Sequence, residues 1–138
     1  MKDYIMARNE EFRRRCVEIF KSDLQNGVIQ PLDSVLERAI ACRPLCHYMS
    51  YDTASRRLHA ISRHGLKVVV KEPLAAQMWT ELAAQITEIM TLSPNKSFDR
   101  ALSFVLNFGR PSRFYISIDT ARRIIAPNIT YQIRLNRG

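Results

Sequence analysis

The sequence predicts a mainly α-helical protein built as two tandem three-helix, helix-turn-helix-like repeats with a small two-stranded β-ribbon. Three observations carry this. Two stretches place apolar residues at helical spacing: Phe12, Cys16, Ile19, Phe20, Leu24, and then Met78, Leu82, Ile86, Ile89, Met90. The run RPLCHYMSYDTASRR at Arg43–Arg57 returns as RPSRFYISIDTARRI at Arg110–Ile124, identical at 8 of 15 positions. Unrelated sequence gives about one such match, so internal duplication is the expected cause. Finally, a period-two alternation follows each copy, in Leu66, Val68, Val70 and in Ile129, Tyr131, Ile133, Leu135.

Each element has a local reason. The first long helix stops at Gly27, a residue free to end a helix in the left-handed region. The second copy's long helix begins after Pro73 and ends before Ser93-Pro94-Asn95. A short helix follows in each copy, with LERAIA (Leu36–Ala41) set against FDRALS (Phe98–Ser103); the spacing to the Arg-Pro turn is then five residues longer in the second copy. After the turn comes a short extended piece anchored by Tyr48 or Tyr115. Ser50 or Ser117 caps the third helix, and Asp52 or Asp119 sits in its positively polarised first turn. Tyr51, Ala54, Leu58 and their counterparts Ile118, Ala121, Ile125 form its core face. Arg56 and Arg123 fall about 200° around from the alanine and face solvent. The alternating stretches are expected to pair as the ribbon, supported by the helices because a lone hairpin is marginal. The units run 1–71 and 72–138 and are expected to close into one compact domain.

The net charge of +8 and pI near 9.9 favour a polyanionic partner, nucleic acid first and an anionic membrane surface second. Residues 1–30 are nearly balanced, six basic against five acidic, so the excess lies downstream of the first helix. No apolar run is long enough to span a bilayer, and no membrane partner is expected. The opening MKDYIMARNEEF has no apolar h-region, so no secretory signal is expected and the expected location is cytoplasmic. Cys16, Cys42 and Cys46 are then expected as free thiols.

Catalytic patterns are missing. The four glycines are not clustered into a phosphate loop, and there is no nucleophile elbow. Glu10-Glu11 read as solvated carboxylates on the charged face of the first helix. No enzyme activity, cofactor or small-molecule substrate is expected. The sharpest motif is Cys42-x3-Cys46-x12-His59-x4-His64, which satisfies a generic zinc-finger spacing. The duplication argues against it, since the second copy holds no cysteine or histidine. Zinc fingers also carry an aromatic and a leucine where this chain has Ser50 and Arg56, and the Arg-Pro between the cysteines is explained as a turn. The metal-free reading is preferred, with a zinc-stabilised binding domain as the alternative.

For nucleic acid, a three-helix unit with a capped last helix matches the arrangement that places that helix in the major groove. The candidate contacts are Arg56, Arg57 and Arg63 in the first copy and Arg113, Arg122 and Arg123 in the second, for phosphates or guanine edges. Arg13, Arg14 and Arg15 add charge on the first helix. The link between second and third helices, about eight residues, is longer than a usual helix-turn-helix turn.

FDRALSFVLNF followed by RPSRFYISIDTARRII resembles a segment of small basic bacterial proteins carried near mobile genetic elements. The shared pattern is Pro111, Arg113, Phe114, Tyr115, Ser117 and Ala121. The first copy keeps Pro44, Tyr48, Ser50 and Ala54, with Cys46 and His47 in place of the arginine and phenylalanine. The resemblance implies a mobile-element or host-regulatory setting and carries over no catalytic residue. The leading expectation is a non-enzymatic DNA-binding protein, a regulator among its options, with a protein-interaction adaptor as the alternative.

Overall fold

The computed structural model describes residues 3–126, and among these the chain is helical with no strand. The first copy comprises α1 (Tyr4–Gln25), α2 (Leu32–Ile40) and α3 (Tyr51–His64), followed by a single turn, α4 (Leu66–Val69). The second comprises α5 (Pro73–Leu92), α6 (Phe98–Phe108) and α7, which runs from residue 118 to the last described residue, 126.

Helix starts are set by side chains that satisfy first-turn amides. The Asp3 carboxylate accepts the Ile5 and Met6 N–H groups, and Glu72 accepts those of Leu74 and Ala75 just before Pro73. Ser50 Oγ accepts the Thr53 amide at 3.1 Å, and Ser117 Oγ accepts the Thr120 amide at 3.1 Å, the same cap in both copies. Gly65 ends α3 with φ 89°, a conformation that excludes most side chains.

The two copies are tandem in sequence but exchanged in space. One core joins Phe12 and Cys16 of α1 and Val35, Leu36, Ala39 and Ile40 of α2 to Phe114, Ile116, Ala121 and Ile124 from the second copy. The other joins Trp79, Leu82 and Ile86 of α5 and Ala101, Leu102 and Val105 of α6 to Ala54 and Leu58 of α3. Each third helix therefore completes the core of the opposite copy. The Phe12 and Phe114 rings meet edge-on at 5.3 Å. Polar contacts follow the same exchange: Arg122 of α7 bonds Asp33 of α2 at 2.6 Å, and Asp99 of α6 holds up the pKa of the Tyr51 hydroxyl on α3. Full burial of one large apolar side chain contributes about 1.5–3 kcal/mol, so each core draws a substantial part of its stabilisation from the opposite copy.

Two expectations need correction. Leu66–Val70 is not a strand. Leu66 and Val70 both pack on the second core while Val68 is exposed, and residues four apart share one face of a helical turn. The Val70 amide donates to the Leu66 carbonyl at 2.8 Å. Three alternating residues are too few to distinguish the two periods. The partner stretch, Ile129 to Leu135, lies outside the described residues. The short helices also align differently: LDSVLERAI of α2 matches FDRALSFVL of α6, pairing Asp33 with Asp99 and Leu36 with Leu102, with nearly the spacing of the turns themselves.

Candidate functional site

The two Arg-Pro turns cross, and each arginine holds the other turn. Arg43 donates from Nε to the Pro111 carbonyl at 3.3 Å and from Nη2 to the Arg110 carbonyl at 3.1 Å. Arg110 returns the contact, from Nε to Pro44 O at 2.8 Å and from Nη2 to Arg43 O at 2.9 Å. A residue before proline is biased to extended backbone, and a guanidinium fork matches two neighbouring acceptors. The repeated arginine and proline thus serve one purpose: they lock the exchange about a local twofold axis.

The long helices anchor the crossing from beneath. Glu11 Oε1 accepts the Leu45 amide at 2.9 Å and the Tyr48 hydroxyl at 2.6 Å, while Arg15 reaches both Glu11 Oε2 at 3.2 Å and Arg43 O at 3.5 Å. In the second copy Glu81 accepts the Ser112 amide at 2.6 Å, and Gln85 donates to Arg110 O at 2.9 Å. Glu81 and Gln85 occupy the places of Glu11 and Arg15. Burial first, and the Glu11 bond next, hold the Tyr48 hydroxyl well above the usual tyrosine pKa. Tyr48 is held at φ 50°, in the left-handed region. Glu11 is 1% exposed, so the expectation of a solvated Glu10-Glu11 pair fails for Glu11. Only its i,i+4 pair with Arg15 is local; no spacing rule marks its burial, because its other partners, Leu45 and Tyr48, lie in a turn more than thirty residues away.

The third-helix arginines sort into different settings. Arg56 and Arg123 are exposed and share one pose, each Nε reaching back to the carbonyl of Asp52 or Asp119 at 3.4 Å. Arg57 and Arg63 are exposed on α3 without an ion-pair partner among the described residues. Arg122 is committed to Asp33 and Asp119, and its pKa is raised by Asp33 first. Arg113 is not on a helix face. It is partly buried in the turn before α7, donates to the Phe114 carbonyl at 3.0 Å and lies over the Tyr115 ring at 5.6 Å. On α1, Arg13 donates to the Ile124 carbonyl at 3.3 Å, and Arg15 serves the crossing.

Among the described residues no group of three or more His, Cys, Asp and Glu is placed to hold a metal ion. The zinc-finger pattern is spread over separate surroundings. The Cys42 thiol donates to the Arg38 carbonyl at 3.4 Å against the first core, and Cys46 lies at the crossing. His59 bonds the Ser55 carbonyl at 2.7 Å and meets Phe98 edge-on beside the second core, and His64 closes α3. Cys16, Cys42 and Cys46 are free thiols, and burial pushes Cys16 up to about 11. No described helix is long and apolar enough to cross a membrane.

Compared with known protein families, with curated proteins and with solved structures, the chain has no match in any of the three.

Proposed function

We propose that the protein is a non-enzymatic DNA-binding protein that meets the duplex with the exposed arginines of its two third helices. The observation that carries this reading is the repeated, solvent-facing pair Arg56 and Arg123, supported on α3 by Arg57 and Arg63. Two copies of one helix about a local twofold axis suit the twofold character of duplex half-sites. The net charge of +8 adds sequence-independent attraction to phosphate. Arg122 contributes little, since two carboxylates already hold it.

The test is binding of a labelled duplex at about 50 and 200 mM salt, with random and genomic-neighbourhood sequences. Arg56→Ala with Arg123→Ala is expected to weaken binding and flatten the salt slope by about 0.9 per lost phosphate contact. Unchanged affinity and slope in that variant would remove these arginines as the contact surface.

A second reading, a protein-interaction adaptor, is favoured by an apolar strip on α1, α2 and their link. There Val17, Phe20, Leu24, Ile29 and Leu32 are between 49% and 84% exposed. It gains if no DNA is bound at about 50 mM salt and Phe20→Asp abolishes association seen by light scattering.

A further inference from the structure

A cavity of about 210 Å³ opens at the crossing and is walled by both copies. Part of its wall repeats between the copies: Pro44 and Pro111 both line it, as do Tyr48 and Tyr115. The departures from symmetry bring in charge. Arg8 stands where the second copy has Met78, and Arg113 stands where the first has Cys46, yet all four line this one space. The duplicated skeleton closes with a methionine or a cysteine at these positions. Each copy supplies one arginine, from a different place.

No Asp or Glu lines the cavity among the described residues. Arg8 is held by a neutral partner, the Asn9 side-chain oxygen, at 3.1 and 2.8 Å. Arg113 is held by the Phe114 and Ile116 carbonyls at 3.0 and 3.5 Å. Two cations thus line one partly enclosed space with no carboxylate in its wall; Glu11 and Glu81 lie behind it, Glu11 bonded to the Tyr48 hydroxyl and Glu81 acting on Tyr115 and His47. Burial lowers the pKa of Arg8, as expected for a cation without a compensating carboxylate. The rest of the wall is largely apolar and aromatic, including Trp79, Met49 and Phe114.

We infer that this cavity binds a small aromatic carboxylate. The carboxylate would take charge-assisted hydrogen bonds from Arg8 and Arg113, and the ring would pack on Trp79 and the methionines. The volume is below the range of drug-sized pockets, so the ligand is a single-ring acid. This site does not depend on the DNA-binding reading, and either can fail alone.

Trp79 is the one tryptophan of the chain, so its emission reports on this wall. The full-length protein is titrated with benzoate and phenylacetate and with their neutral amides. The acids are expected to give a saturable change with Kd between about 10 μM and 1 mM, and the amides to bind at least about ten-fold more weakly. Arg8→Met with Arg113→Cys gives each position the other copy's residue. It is expected to weaken the acids at least about ten-fold with unchanged circular dichroism. Benzoate is also expected to slow alkylation of Cys46, which lines the cavity, and to leave Cys42 unaffected. If the double variant does not fold, Arg8→Met alone together with Cys46 protection decides. No saturable change up to about 10 mM of either acid, amides that bind as well as acids, or full binding by the arginine variants would each overturn the inference.

Discussion

In the first copy the carboxylate under the crossing, Glu11, is 1% exposed and carries the Leu45 amide, the Tyr48 hydroxyl and Arg15. In the second, Glu81 is only partly buried and accepts the Ser112 amide, while neutral Gln85 replaces Arg15. Both copies keep a carboxylate on the turn amide and a donor on the Arg-Pro carbonyl. They differ in what surrounds that bond. What the copies share is what the crossing requires: Arg43 and Arg110, the prolines, the glutamates and the capping serines. What they do not share, such as Arg8 against Met78 or Arg113 against Cys46, is free to serve another purpose.

The largest test of this comparison is the exchange itself. Phe114→Ala removes a second-copy ring from the first core and is expected to cost about 3–5 kcal/mol in urea unfolding. Combined with Phe12→Ala it should be non-additive by about 0.5–3 kcal/mol, because the two rings touch. Strict additivity would mean that the Phe114 segment leading into α7 does not pack on Phe12 of α1.

Next comes the asymmetry between the carboxylates. Glu11→Ala strands a part-buried amide, a part-buried hydroxyl and a guanidinium, and is expected to cost about 3 kcal/mol. Glu81→Ala frees a more accessible amide and is expected to cost about 1 kcal/mol. Equal losses in urea unfolding would erase the distinction between a deep and a shallow anchor.

The reciprocal arginines give a smaller effect. Arg43→Ala and Arg110→Ala are each expected to cost about 1 kcal/mol, since water competes at this partly exposed crossing. The double variant should lose less than the sum, because either change loosens the same turn pair. A double-mutant cycle with zero coupling would show that the two guanidiniums act independently.

The smallest effect is a pH dependence found only in the first copy. His47 is 8% exposed and donates to Gln85 at 2.7 Å; its counterpart is Phe114. Burial lowers its pKa, against opposing contributions from the Gln85 bond and Glu81. The unfolded chain then binds the proton more readily than the folded one. This histidine's contribution is constant above about pH 6.5, falls as the pH drops below that, and levels off once the folded pKa is passed. Melting temperatures between about pH 5 and 8 are expected to show this slope in the wild type and a shallower one in His47→Phe. An unchanged slope would place the acid sensitivity elsewhere.

Local chemistry was legible in the chain. Helical spacing located α1 and α5, the serines located the starts of α3 and α7, and Gly27 located the end of α1, because each depends on neighbours within a turn or two. The duplication was legible as identity. The brief alternation at Leu66–Val70 misled because too few residues separate period two from period four. Glu11 looked like half of a solvated pair because a carboxylate's partner in a distant turn leaves no local spacing. Which core each third helix completes was decided by tertiary structure alone. Ala54 and Leu58 repeat as Ala121 and Ile125, so the shared apolar pattern does not say which core each third helix enters. The exchange goes with the crossing of the two Arg-Pro turns, through hydrogen bonds between residues 66 to 68 positions apart that no local pattern encodes.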